Sequence, residues 1–197
     1  MTKMVEFYFD VGSPASYLAW TQLPALCAQA GAQLVYKPML LGGVFQATGN
    51  ASPGAVPAKG RYVSHDLARF ARRYGVPLAQ NPHFPIITLM LMRAATAVQL
   101  REPERFDHFL STVFQAIWVD SLNLNDMGLT AQTLARGGFD AGQIEAWVSD
   151  PEIKAALKAT TDEALQRGVF GAPTMFVGQE MFFGQDRLDF VREALDA

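Results

Sequence analysis

The chain of 197 residues is half hydrophobic, enough for one sizeable core or two small ones, and its 16 Lys and Arg against 19 Asp and Glu leave no basic field to recruit nucleic acid or anionic lipid. Glu6 interrupts the N-terminal apolar run before it can serve as a signal peptide, and the longest apolar stretch, Pro85 to Met92, is far short of the roughly 20 residues of a bilayer span. A cytoplasmic protein that neither spans a membrane nor binds nucleic acid is expected, and the single Cys27 rules out an intrachain disulfide.

Val5, Phe7 and Phe9 alternate as a buried strand, and Asp10-Val11-Gly12 supplies the turn that ends it. Ser13 stands at an N-cap position, Pro14 takes the first helical position where its missing N–H costs nothing, and Leu18, Leu23 and Leu26 continue an apolar face. This helix is expected from Pro14 to Ala30, kinked or split at Pro24 and stopped by Gly31. Gln33 to Tyr36 forms the second strand, closed by Pro38. Leu41 to Lys59, rich in Gly, Pro, Ala and Asn, is expected as an irregular or partly helical loop.

Helices are then expected over Tyr62 to Tyr74, Ile86 to Leu100, Glu104 to Val119, Thr130 to Arg136 and Asp140 to Val148, with a rigid Asn81 to Pro85 turn ahead of the second. Arg69, Arg72 and Arg73 make the one local basic cluster, a solvated helix face. Asp150-Pro151 opens a further helix that Gly168 stops. Gly171-Ala-Pro-Thr174 leads into a strand over Met175 to Gly178, whose hairpin partner is Met181 to Phe183. Pro173 stands at the start of that strand, where a cis peptide is tolerated. Gln185 or Asp186 begins a last helix over Leu188 to Leu195.

Few of these residues carry chemistry. Ser13 places a hydroxyl at the positive end of a helix, where free N–H groups and the macrodipole favour an anion, a thiolate included. A serine nucleophile would want a base such as His, and none is near it in sequence. His65, His83 and His108 lack metal-ligand spacing and a Cys partner, so no metal site is expected. Cys27, inside the first helix, fits a buried small hydrophobe. His83 and Phe84, in a Pro-bracketed turn, are candidates to line a pocket for an aromatic acid, as are Tyr62 and Trp118.

A strand, a helix beginning Ser13-Pro-Ala-Ser16, a second strand, and late in the chain Ala172-Pro-Thr174 before a hairpin and a helix resemble a thioredoxin-like domain in their order. Ser13 and Ser16 take the two places where redox members of that class carry cysteines. The match sharpens at Asp10-Val-Gly-Ser-Pro-Ala-Ser-Tyr-Leu-Ala19, Leu41-Gly-Gly-Val-Phe45, Thr48-Gly-Asn50, Val56-Pro-Ala-Lys-Gly60, Phe170-Gly-Ala-Pro-Thr174 and Phe183-Gly-Gln-Asp-Arg187. Over nearly the whole chain this set is similar to the glutathione-dependent 2-hydroxychromene-2-carboxylate isomerase and kappa-class glutathione transferase family.

The resemblance implies an α/β, DsbA-like fold: a thioredoxin-like domain of residues 1–40 and 161–197 with an inserted all-helical domain of residues 41–160, sharing one cleft. It implies glutathione as cofactor, with Ser13 donating a hydrogen bond to the thiolate sulfur and Ala172, before Pro173, pairing with the cysteinyl backbone. Gln185, Asp186 and Arg187 would hold the γ-glutamyl end, and Asn50 and Lys59 the glycyl end. The implied activity is isomerisation of 2-hydroxychromene-2-carboxylate, or a related aromatic acid, to trans-o-hydroxybenzylidenepyruvate by reversible thiolate addition. A kappa-type transferase or peroxidase would use the same Ser13 but consume glutathione. A non-catalytic thioredoxin-like binding module would keep Ser13 and Ser16 only as replacements of cysteines, and a disulfide oxidoreductase is opposed by the lack of a second cysteine. Gln46 stands where family members with a similar V-F-K-A-T run carry Lys; if that Lys binds the substrate carboxylate, the substrate here is another compound. The family tendency and the apolar Ile86 to Met92 stretch imply a homodimer.

Overall fold

A computed structural model describes residues 3–197. Its elements run β1 (Met4–Phe9), α1 (Pro14–Gln29), β2 (Gln33–Pro38), α2 (Leu41–Thr48), α3 (Pro57–Tyr74), α4 (Leu89–Arg101), α5 (Phe106–Trp118) and α6 (Met127–Arg136). They continue with α7 (Ala141–Ser149), α8 (Pro151–Gln166), β3 (Thr174–Val177), β4 (Glu180–Phe183) and α9 (Leu188–Asp196). Short 3-10 turns occupy Pro53–Ala55, Pro103–Arg105 and Gln185–Arg187.

The four strands form one sheet in the order β2-β1-β3-β4, parallel between β1 and β2 and antiparallel elsewhere. β1 is central, and both its faces are covered, which is why its apolar run is nearly continuous. Val5, Phe7 and Phe9 enter the main core with α1, α4 and α5, while Tyr8 enters a smaller core on the other face with Met39, Val44, Ala164 and Phe176. The Phe114 ring of α5 lies 6.3 Å from Phe9 of β1 and 5.2 Å from Trp20 of α1, centroid to centroid, so the helical insertion packs its aromatic ring against both the sheet and α1.

On the second face the Tyr8 hydroxyl donates to Glu163 Oε1 at 2.7 Å and accepts from Arg167 Nη1 at 2.9 Å. Arg167 also pairs with Glu6 at 2.7 Å, and Lys37 with Glu163 at 3.1 Å. Two acids and two bases thereby close a balanced ring around one buried phenol.

Several expectations change. The Leu41 to Lys59 segment is mostly helical, because Gly49 at φ 68° closes α2 and Pro57 opens α3 five positions ahead of Tyr62. α1 passes Pro24 unbroken, with that ring on its exposed face and Leu18, Leu23 and Leu26 anchoring the other. Cys27 is buried, and burial pushes its thiol up to about 11, which leaves it inert. α4 begins only at Leu89, since the Ile87 N–H is taken by Asn125 Oδ1 at 2.8 Å. Most of the apolar Ile86 to Met92 surface is turned inward: Ile86, Leu91 and Met92 are buried, and Ile87 is exposed. α8 crosses the expected domain boundary at residues 160 and 161, packing on α4 and α7 as well as on α2 and β2. No helix among the described residues is long and apolar enough to cross a membrane.

Candidate active site

The turn after β1 is built by Asp10. Its Oδ1 accepts the Gly12 N–H at 2.9 Å and its carbonyl accepts the Ser13 N–H at 3.0 Å, reversing the chain so that Ser13 caps α1. Ser13 has extended backbone (φ −96°, ψ 115°), and its Oγ accepts the Ser16 N–H at 3.1 Å, as an N-cap should. The same hydroxyl donates to the Ala172 carbonyl at 3.1 Å, across 159 residues of sequence. Only 5% of Ser13 is exposed, so its hydrogen bonds form where water screens little.

The helical insertion clasps this turn from outside. Asp10 Oδ2 accepts from the Leu41 N–H at 2.9 Å and the Thr88 hydroxyl at 3.0 Å. The Trp118 indole donates to the Val11 carbonyl at 2.8 Å, and the Val11 N–H reaches Met92 Sδ at 3.4 Å. Gly12 is required by close approach, since a Cβ there would lie 2.7 Å from Thr88 Cγ2. Burial pushes the Asp10 carboxyl above the ordinary carboxylate range, opposed by the donors Gly12, Leu41 and Thr88. Sequence reasoning assigned Asp10 only a turn; its partners lie 31 and 78 positions away, and no local pattern announces them.

Facing Ser13, the Ala172–Pro173 peptide is cis. The loop is pinned on its far side by the Gly184 N–H on the Pro173 carbonyl (3.0 Å), by Thr174 Oγ1 on the Gly171 carbonyl (2.9 Å) and by Phe183, whose ring would sit 2.7 Å from a Cβ at Gly171. Asn50 joins the same loop, its Nδ2 donating to the Phe170 carbonyl at 2.8 Å. Ser13 thus meets the loop at Ala172, and Asn50 meets it at Phe170.

The corner of Gln185, Asp186 and Arg187 is tied to Pro173 through Gly184, which takes φ 103° and could carry no side chain beside Asp186 Oδ1. Gln185 is buried and its carbonyl accepts from the Tyr74 hydroxyl at 2.6 Å. Asp186 Oδ2 is already paired with Arg187 Nη1 at 2.7 Å. Lys59 and Tyr62 lie exposed on the first turns of α3. His83 and Phe84 are exposed in the Asn81 to Pro85 turn, Phe84 facing Trp118 at 6.1 Å between centroids. Trp118 is the correction among the pocket candidates: at 3% exposure, with its N–H given to Val11, it supports the Ser13 turn from the core.

A cleft of about 640 Å³ opens between β4 and α9, lined by Met181, Phe183, Arg187, Phe190 and Glu193 among others, but Ser13 is absent from its walls. The polar groups converge at Ser13 instead, outside this cleft. Among the described residues no three His, Cys, Asp or Glu side chains are grouped to hold a metal ion.

The family described as DSBA-like thioredoxin domain matches residues 4–196. The 2-hydroxychromene-2-carboxylate isomerase of Sphingobium xenophagum is 34% identical, over 99% of this chain and 99% of that protein. The human glutathione S-transferase kappa 1 is 28% identical, over 99% of this chain and 92% of that one. A solved structure of a 2-hydroxychromene-2-carboxylate isomerase superposes with a TM-score of 0.84 at 30% identity, covering 98% of this chain and 94% of the other.

Proposed function

The chain belongs to the DSBA-like thioredoxin family and, within it, to the group of 2-hydroxychromene-2-carboxylate isomerases and kappa-class glutathione transferases, and from this premise we propose that it is a glutathione-dependent isomerase of 2-hydroxychromene-2-carboxylate or a related aromatic acid. The observation that carries the reading is the buried Ser13 hydroxyl, set at the N-terminus of α1 and within 3.1 Å of the carbonyl that precedes the cis Pro173.

The donor set fits a thiol peptide. Bound glutathione supplies a thiol with an ordinary pKa of about 8.5, whose ionised form adds reversibly to a conjugated acid. Ser13 donates its O–H to that sulfur, and the N-terminus of α1 adds a favourable field. Ala172 meets the cysteinyl backbone in the manner of an added strand. Asn50 and Lys59 hold the glycyl end; the N–H groups of the Gln185 to Arg187 turn receive the γ-glutamyl carboxylate, with Asp186 toward its ammonium. Tyr62, His83 and Phe84 form the exposed rim over which an aromatic acid would lie, with Phe84 backed by Trp118.

In this reading residues 41–160 act as a helical domain set into a thioredoxin-like domain of residues 1–40 and 161–197, and hold the Ser13 turn rigid during addition and release. We also propose a cytoplasmic homodimer that binds no nucleic acid, in keeping with the single buried Cys27 and the formal net charge of −3. Light scattering on the purified protein tests the dimer.

Isothermal titration with reduced glutathione on wild type and Ser13→Ala, followed by an assay of 2-hydroxychromene-2-carboxylate turnover, tests the main reading. Binding with a thiolate absorbance that Ser13→Ala abolishes, and turnover without loss of glutathione, is the expected result. Gln46, exposed on α2 in place of the anticipated Lys, points to a related compound as the natural substrate, and a kappa-type transferase is the second reading. Stoichiometric consumption of glutathione would select it, and no binding to wild type would leave a non-catalytic module.

A further inference from the structure

A serine hydroxyl carries one proton and two lone pairs. At Ser13 the Ser16 N–H occupies one lone pair at 3.1 Å, and the proton is directed to the Ala172 carbonyl at 3.1 Å. What remains for an incoming sulfur is the second lone pair. That lone pair accepts from a neutral S–H and repels S⁻, so the hydroxyl as oriented favours the wrong ionisation state for addition. To stabilise a thiolate, Ser13 must turn its single proton away from Ala172.

Turning it strips the Ala172 carbonyl of a donor. The following residue, Pro173, has no N–H to offer in exchange. The Pro173 carbonyl is itself committed to the Gly184 N–H, and the Phe183 ring packs beside Gly171, 2.7 Å from where a Cβ would stand. A ligand that covers the half-buried Ala172 and keeps water from its carbonyl must therefore bring the replacement donor itself.

We propose that Ser13 is a ligand-switched hydroxyl: a backbone N–H of the bound thiol peptide takes over the Ala172 carbonyl, and Ser13 then rotates from sulfur acceptor to sulfur donor. This rests on the glutathione reading above and adds to it a selection rule. The site ionises thiols that carry an amide N–H beside the thiol-bearing carbon, and leaves other bound thiols neutral. No bond forms in the switch; one S–H bond breaks and its proton leaves to solvent.

The test compares reduced glutathione with its depsipeptide analogue, in which an ester oxygen replaces the cysteinyl N–H, each saturating wild type and Ser13→Ala. The readout is thiolate ultraviolet absorbance against pH, referred to each free thiol. On wild type, bound glutathione is expected to ionise at least about one pH unit below its free value, a tenfold effect that Ser13→Ala removes. The ester analogue is expected to ionise near its free value on both proteins. A drop for the ester analogue on wild type equal to that of glutathione overturns the switch while leaving the glutathione reading intact. Failure of glutathione itself to bind or ionise on wild type overturns the reading and the switch together.

Discussion

Two carboxylates flank β1 in opposite circumstances. Glu163, beside its second face, is partly exposed and surrounded by Lys37, Arg167 and the Tyr8 hydroxyl. Asp10, at its C-terminal end, is 1% exposed and meets only neutral donors, the N–H groups of Gly12 and Leu41 and the Thr88 hydroxyl. Glu163 belongs to a ring of charges that helps α8 stay on the sheet. Asp10 ties three separate segments to the turn that carries Ser13. A half-exposed carboxylate among charges costs little to keep; a buried one that meets only neutral donors bears a desolvation cost, and here its hydrogen bonds organise the candidate site.

Breaking the Asp10 side should have the largest effect. In Asp10→Asn an amide NH₂ faces the Leu41 and Thr88 donors, leaving buried donors unpaired at a cost of about 2–4 kcal/mol in urea unfolding. The ionisation of bound glutathione should also weaken, because the Ser13 cap loses its anchor.

Tyr8→Phe comes next. It removes the phenol shared by Glu163 and Arg167 and should cost about 1–2 kcal/mol by the same measurement, with no change in glutathione binding. Equal damage to binding would dissolve the contrast between the charged face of β1 and its C-terminal end.

Acid should separate the carboxylates by sign. Burial raises the Glu163 carboxyl, but the Tyr8 hydroxyl, Lys37 and Arg167 outweigh it and hold the group below its ordinary 4.5. Its stabilising contribution is thus present above 4.5 and lost as pH falls through the lower folded value. Asp10, raised above 3.8 by burial, does the reverse: its contribution is most favourable below 3.8 and declines as pH rises through the folded value. Thermal melts against pH should show a shallower acid loss for Glu163→Gln than for wild type and a steeper one for Asp10→Asn. The Glu163 effect should stay below about 1 kcal/mol, because water and salt screen a half-exposed pair.

The smallest effect is expected at Ser16, whose buried Oγ has no hydrogen-bond partner among the described residues. Ser16→Ala should leave stability unchanged or raise it by up to about 1 kcal/mol in the same melts, since no bond is lost and a desolvated hydroxyl is removed.

Much of the fold is legible in the sequence. The alternation of Val5, Phe7 and Phe9, the Ser13-Pro14 helix start, the Asp140 and Asp150 caps and the Gly178 hairpin all appear, because each depends on neighbours within about four residues. The segment between Leu41 and Lys59 was harder. Its Gly and Pro content suggested irregular chain, yet Gly49 and Pro57 serve there as the stop of one helix and the start of the next. Trp118 shows the same limit for the site: an aromatic beside a candidate pocket looks the same in sequence whether its ring faces ligand or its N–H faces Val11.

By itself the sequence determined that a hydroxyl would cap α1 directly after a central strand, and that a Pro would stand at the start of a late hairpin. Tertiary structure alone decided that these two points meet. Capping and turn formation are short-range, governed by a few dihedrals and the nearest N–H groups. The bond from Ser13 to Ala172 spans 159 residues, that from Trp118 to Val11 spans 107, and that from Thr88 to Asp10 spans 78. Such pairings follow from how helices and sheet pack together, where each buried polar group must find a partner among whatever the packing brings near.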